Sequence, residues 1–369
     1  MSTLLMLKDK PVLKIENYIC EILDFEHLPI SLRYNDVNYD DVVHSWCYTR
    51  AMDIGKTNNR QILQACGLKD NNPYIVAKAF HFATLGDCYW MKDTTEDITW
   101  NDVSLFQNSF DKAVSFSAIN GKLPENFIAS HRKIHSPDPI TRGMAPKTWI
   151  MDKNDKIWLV KVGKKETIAD EILSYFHIPH LAYRKLTSTE IPQYISEDTY
   201  EKIYVANNET LVKCPILTSE DIAMVSFEDF SIYCDRNNKN PYEWMKEHYP
   251  KEYAEMQVMD YLLANNDRHE ENWALYMDNT SGKIVGFVPL YDHDQIMSTE
   301  PLISQTIEEI GVPIVDTLDE PLLLLGEEFM NQLIDSQYLF SICTGFSERV
   351  QDLLDRQKEI ETADYDGDI

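Results

Sequence analysis

The stretch 259–294 reads MDYLLANNDRHEENWALYMDNTSGKIVGFVPLYDHD, and its local signals organise the rest of the chain. Residues 253–264, YAEMQVMDYLLA, are mostly apolar and predict a helix buried against other helices. Asn265-Asn266 is a natural stop, after which come Asp267-Arg268-His269-Glu270-Glu271-Asn272. Two β-rich runs follow, 273–277 and 283–289, separated by Asp278-Asn279-Thr280-Ser281-Gly282. Such turn chemistry predicts a hairpin whose two ends lie side by side. Asn272 leads into the hairpin and Asp292 follows it. The fold is therefore expected to gather Asp267, Asn272 and Asp292.

A carboxylate, an amide and a second carboxylate suit phosphoryl transfer. One Asp orients the attacking hydroxyl and accepts its proton, while an Asn and another Asp hold Mg²⁺, which prefers oxygen ligands. Asp267 and Asn272 have the D-x-x-x-x-N spacing of the protein-kinase catalytic loop. That spacing is common by itself, and an aspartate after a helix also serves as a cap or turn residue. The helix before it and the hairpin closed by Tyr291-Asp292 favour chemistry.

The run A-N-N-D-R-H-E-E-N at 264–272, followed by P-L-Y-D at 289–292, resembles the HipA-like kinases. These are serine/threonine kinases best known as toxins of bacterial toxin–antitoxin pairs. D-R-H-x-x-N also occurs in phosphatidylinositol kinases, so the motif marks the superfamily better than the substrate. The resemblance implies Asp267 as catalytic base, Asn272 and Asp292 as Mg²⁺ ligands, and ATP as donor. Protein kinases usually follow the metal-binding Asp with Phe-Gly, whereas this chain has His293-Asp294. An ordinary activation-loop switch is not expected.

Composition narrows the class. The chain has 369 residues, enough for two domains or a bilobal one, with 44% hydrophobic and 26% charged residues as in globular proteins. No apolar run is long enough for a membrane span, and the first residues lack the pattern of a signal peptide. Seven cysteines, odd in number and without a CxxC pair, read as reduced thiols of a cytoplasmic protein. The formal net charge of −27 disfavours global attraction to nucleic acid or anionic lipid, so no direct nucleic-acid binding is expected.

Residues 1–136 are expected to form an N-terminal region, with strands near 12–15 and 18–23 and helices over 41–52 and 58–66. Aromatic-rich 85–92 and 98–103 read as core, and resemble the N-terminal region of a HipA-like subgroup only loosely. The segment 130–139, SHRKIHSPDP, predicts a linker or exposed loop. Thr141–Trp149 then precedes a strand pair, 149–151 and 157–162, where kinases lay backbone amides over ATP phosphates. One glycine is a weak signal against the usual three, and a solvent loop fits as well. T-x-G-M-x-P-K does resemble the shorter phosphate loop of the HipA-like group. The expected ATP contacts are thus Gly143, Met144, Ala145, Pro146 and Lys147.

Lys161 ends an apolar strand. If buried it needs an anion, and in kinases ATP phosphates and a helix glutamate serve; strand alternation could equally place it in water. The helix predicted over 164–176 turns Ile168, Ile172, Leu173 and Phe176 inward. By the family pattern Glu166 is the expected partner of Lys161, with Glu171 in reserve. Strands are expected at 183–186 and 203–206, and 209–217 leads to a hinge where Cys214–Leu217 could face adenine. Pro215 lacks a donor there. Segments 219–230, 242–248, 303–310, 321–325, 327–340 and 348–360 are expected to be helical.

The expected fold class is α+β, a bilobal protein-kinase-like fold with a strand-rich N-lobe, a helical C-lobe and an additional N-terminal region. Its expected domains are 1–136, 137–218, 219–363 with the catalytic loop, and an acidic tail at 364–369. The resemblance implies transfer of the ATP γ-phosphoryl group to Ser or Thr of a protein substrate, with an antitoxin-type partner. It also implies autophosphorylation beside the phosphate loop, where Thr141 and Ser136 offer hydroxyls. A lipid or small-molecule kinase, or a nucleotide-binding pseudokinase, would share these residues.

Overall fold

The structure is a computed structural model that describes residues 2–53, 55–69, 71–128 and 133–367. Contacts divide the chain into two units. Unit 1 comprises Met1–Gly163, Tyr183–Val225 and Tyr276–Gly286; unit 2 comprises Lys164–Ala182, Ser226–Leu275 and Phe287–Ile369. This is a mixed α and β architecture in two units, in keeping with the expected α+β class.

In unit 1, β1 (Ser2–Leu7), β2 (Lys10–Glu16), β3 (Ile19–Ile22) and β4 (Tyr89–Asp93) form an antiparallel sheet of order β3-β2-β1-β4. Leu5 sits opposite both Leu13 and Met91, and Leu5, Leu13 and Trp90 are fully buried. Asn17 and Tyr18, both at positive φ, make the two-residue turn between β2 and β3. A second sheet, β5 (Lys147–Met151), β6 (Ile157–Val162), β7 (Arg184–Lys185) and β8 (Leu211–Pro215), has the order β5-β6-β8-β7. The helix Lys112–Asn120 joins the two regions of unit 1. Its Val114 and Ala118 pack with Met52, Ile62 and Val76, whereas its Ile119 packs with Val160, Tyr204 and Leu211. β9 (Ile222–Ser226), β10 (Ala274–Asp278) and β11 (Ile284–Phe287) make a third sheet, in the order β11-β10-β9.

The β10–β11 turn is that of the predicted hairpin. Gly282 closes it at φ +67, donating to the Asp278 carbonyl at 2.8 Å. N-terminal groups hold this tip: His27 Nε2 lies 2.9 Å from the Thr280 carbonyl, and the Arg33 guanidinium donates to Gly282 O.

Unit 2 is built around the helix Pro250–Leu263, wholly buried from Tyr253 to Leu263. It is covered by the helices Asp319–Asp335 and Phe346–Gly367, the first broken at Gly326 by a non-helical φ of 68°. Ala264, left-handed at φ +51, ends the central helix, and Trp273 stacks on Phe227 with ring centroids 3.7 Å apart.

Several expected elements differ. The strand expected at 203–206 lies in a π-helical turn, Tyr200–Val205, followed by the reversal that leads into β8. The first part of 219–230 is β9, because it pairs with β10, and Met224 N also bonds Gly86 O; the helix begins only at Phe227. No helix forms at 303–310, where Ile303 and Ile310 stay exposed; Ser304 N instead bonds Val312 O and Ile314 N bonds Leu302 O, drawing 302–314 into a bridged loop. The helix expected over 41–52 is a π turn, Asp41–Trp46, followed by a 3₁₀ turn, Tyr48–Arg50. The segment expected as a linker at 130–139 begins outside the described residues. From 136 to 140 it is buried rather than exposed, because Asp138 is enclosed by hydrogen-bond donors of its own unit. The terminal helix continues to Gly367, so the expected tail at 364–369 is helical over its described part.

All seven cysteines are free thiols. Among the described residues no helix is long and apolar enough to cross a membrane.

A Cβ on Gly282 would collide with the backbone carbonyl of Glu26 and would have to adopt positive φ. Gly282→Ala should therefore lower stability by about 1–3 kcal/mol, seen as an earlier denaturation midpoint. An unchanged midpoint would mean that the tip is not held against Glu26.

Candidate active site

In unit 2 the end of the buried helix delivers the stretch 265–272, which carries Asp267 and Asn272. Asn272 donates through Nδ2 to the Asp267 carbonyl at 2.7 Å, which leaves its amide oxygen as the atom able to bind a cation. Burial raises the Asp267 carboxyl above its ordinary range; Asp294 and Asp292 add to the shift, while His269 opposes it. The structure thus brings Asp267, Asn272 and Asp292 to one place, and it adds Asp294. Asp292 itself is left-handed at φ +56, a conformation that costs a non-glycine residue on the order of 1 kcal/mol or more.

Arg268 holds that strained position from one side. Its guanidinium is 3% exposed; Nε lies 3.0 Å from Asp260 Oδ2, and Nη1 donates to Asn272 O at 2.6 Å and Tyr291 O at 2.8 Å. One cation therefore ties the stretch 265–272 to the segment that carries Asp292. Nη2 also meets His293 Nε2 at 3.0 Å. An arginine can only donate, so Nε2 is the acceptor and the ring proton lies on Nδ1. The His293 backbone N–H donates to Glu166 Oε2 at 3.0 Å. Glu166 is fully buried, on the first turn of the helix Lys164–Tyr175, whereas Glu171 is exposed.

The sequence did not single out Asp260, and it showed Arg268 only as a motif letter and His293 only as a departure from Phe-Gly. One signal was present: Asp260 is a carboxylate within an otherwise apolar helix and needs a buried partner.

Two features fit a hard divalent cation in unit 2. The carboxylates of Asp267, Asp292 and Asp294 crowd one another, and Asn272 offers an oxygen donor. Among the described residues no group of three or more His, Cys, Asp or Glu makes a ready metal cage. Mg²⁺ does not demand one, since it is commonly held by one or two protein carboxylates together with phosphates and water.

In unit 1 the segment Thr141–Lys147 runs into β5. Gly143 has φ +91, Met144 and Ala145 are exposed, and Lys147 stands opposite Lys161 in the β5–β6 pair. Lys161 is 5% exposed, with its ammonium 5.5 Å from the Tyr183 ring centroid. It is thus buried rather than placed in water. Thr141 is half-buried and donates to Pro137 O, whereas Ser136 is fully buried and donates to Asp138 Oδ2. At the expected hinge, the Ile216 N–H is committed to Ile157 O at 3.1 Å.

A family model described as phosphatidylinositol 3- and 4-kinase matches residues 148–335, just over half of the chain. No curated protein matches. Among solved structures, similarity extends to a complex of the Shewanella oneidensis MR-1 toxin–antitoxin system, HipA and HipB with operator DNA. That match has a TM-score of 0.51 and 10% identity, and covers 95% of this chain and 90% of the other. The Helicobacter pylori proinflammatory kinase CtkA matches with a TM-score of 0.38 and 16% identity, over 59% of this chain and 92% of its own. The HipA likeness is one of fold.

Arg268→Met should cost about 3–5 kcal/mol, because it leaves Asp260 charged and buried without its partner. Asp260→Leu combined with Arg268→Met should recover much of that loss in urea denaturation. A single variant as stable as wild type would remove the guanidinium from the centre of this arrangement.

Proposed function

Because the chain belongs to the phosphatidylinositol 3- and 4-kinase family and is a kinase of HipA-like fold, we propose that it transfers the γ-phosphoryl group of ATP to a serine or threonine hydroxyl of a protein. The observation that carries this reading is the half-buried Asp267 carboxylate beside Asn272 and Asp292. A carboxyl made more basic by burial and by neighbouring negative charge is a better proton acceptor for an attacking hydroxyl. In this reading Asp267 receives the hydroxyl proton, while Gly143, Met144, Ala145, Pro146 and Lys147, with Lys161, bind and orient the phosphates. Glu166 is assigned to the support of Lys161. Asn272 and Asp292 would hold Mg²⁺, which when bound neutralises charge on the phosphates.

The family match favours one second reading, a phosphoinositide or other lipid acceptor. Against it stands the net charge of −27, which repels anionic headgroups. Label transfer from ATP with Mg²⁺, run on cell lysate and on lipid vesicles side by side, separates the two. Label in a discrete protein supports the first reading and label in lipid the second; none in either supports a pseudokinase. HipB accompanies HipA in the Shewanella complex, so an antitoxin-type partner is part of the proposal. For autophosphorylation Thr141 is the better placed hydroxyl, since Ser136 is enclosed.

Asp267→Asn should abolish transfer while ATP affinity changes little, because the carboxylate serves the acceptor and not the nucleotide. Asp292→Ala should instead weaken Mg²⁺-dependent nucleotide binding sharply in titration calorimetry. Transfer surviving in the first variant, or unchanged Mg²⁺ dependence in the second, would move these roles elsewhere.

A further inference from the structure

We propose that Lys56, from the N-terminal region, is a positioning residue for the phosphate loop, fixing the chain at Asp138 and Thr141 so that Gly143–Lys147 keep one shape; the role rests on the phosphate-loop reading above. Lys56 lies far from the loop in sequence and belongs to no motif, yet it is 4% exposed. Its Nζ donates to the carbonyl oxygens of Asp138 at 2.9 Å and Thr141 at 2.7 Å. An ammonium is tolerated at such burial only where acceptors and opposite charge surround it. The acceptors are these two carbonyls, both at the start of the loop. The opposite charge comes chiefly from the Asp138 carboxylate, which is fully buried.

Asp138 in turn secures the far end of the loop. Its carboxylate accepts from Trp149 N at 3.2 Å, Thr148 Oγ1 at 3.4 Å and Ser136 Oγ at 3.1 Å. Lys56 therefore holds the start of the loop, and Asp138, attracted to the same ammonium, holds its end. Neighbours of Lys56 hold the middle. Thr57 N donates to Met144 O at 3.0 Å, and the Gly143 N–H donates to Asp53 Oδ2 at 2.6 Å. Both ends and the middle of the loop are thus tied on one side, while Met144 and Ala145 stay exposed on the other. A loop whose amides must meet phosphate oxygens within a fraction of an ångström needs such support.

The charged groups facing Lys56 are Asp138, Asp53 and Lys147, with Arg142 beyond Asp53 at 3.9 Å. Burial, with help from Lys147, brings the ammonium down to about 8 against the upward pull of Asp138 and Asp53. The cation is therefore present at neutral pH and lost under mildly alkaline conditions. Raising the pH through that range should loosen the loop.

The first test uses wild type without nucleotide. Trypsin cleavage after Arg142 and Lys147, relative to cleavage after exposed Lys358, should accelerate severalfold between about pH 7 and about pH 9.5. A constant ratio overturns the proposal. The second test is Mg-ATP binding by calorimetry. Lys56→Met should weaken it by about tenfold at neutral pH. Lys56→Arg, which stays charged, should bind like wild type at neutral pH and keep that affinity in alkali where wild type loses it. Equal affinity of Lys56→Met and wild type, or parallel pH profiles of Lys56→Arg and wild type, overturns the role of Lys56 alone. Wild type that binds no Mg-ATP but shows the pH-dependent cleavage overturns the nucleotide reading and leaves the loop anchor standing. Should Lys56→Met fail to fold, the cleavage ratio and the Lys56→Arg profile decide.

Discussion

The arrangement in unit 2 depends on one buried cation. Arg268 has donors on several sides, and each is used: one direction toward the Asp260 carboxylate, another toward the carbonyls of Asn272 and Tyr291, a third toward His293. A lysine could not do this, since its point charge lacks the planar fork that reaches two backbone segments at once. The cost of desolvating the guanidinium is offset only because Asp260 sits beside it on the long buried helix. Position is thereby passed from the helix to the stretch 265–272 and on to the left-handed Asp292. The His293 backbone N–H extends the chain of contacts to Glu166 while its ring meets Arg268, so the residue that stands where Phe is usual is a structural link in its own right.

Unit 1 shows a comparable economy. The N-terminal region is not an appendage to the strand-rich part, because the helix Lys112–Asn120 contributes to the hydrophobic clusters on both sides of it. Ser115 on that helix donates to Trp149 O at 3.0 Å, next to the segment 141–147 proposed to meet phosphate. Within this unit, core packing and polar anchoring converge on the same short stretch of chain.

What could be read from the sequence was what is written locally. The helix ending at Leu263, the hairpin with its Gly282 turn and the strand carrying Lys161 all follow from apolar spacing and turn residues a few positions apart. The candidate residues Asp267, Asn272 and Asp292 were legible for the same reason. Elements set by distant partners were not. β1 is a continuous apolar run without alternation, and only pairing with β2 and β4 on its two sides makes it a strand. β9 looked helical until β10, some fifty positions further along the chain, supplied its pairing. Lys56 reads as one polar residue among others, and Asp138 as a linker residue between two prolines; their importance exists only once they are buried together.

The hairpin tip has a consequence for the order in which the molecule is made. Arg33 and the Gly282 carbonyl that it grips are separated by 249 positions, so a residue of the first strands' region waits for nearly the last quarter of the chain. Unit 1 is discontinuous and contains Tyr276–Gly286 as its final piece. During synthesis its first sheet can pair early, but the buried guanidinium must lack that acceptor until the hairpin has emerged. Long loop closures of this kind slow folding and prolong the life of partly open species. A nascent chain stalled before residue 276 would hold an incomplete first unit, so that unit closes only after most of the chain has been made.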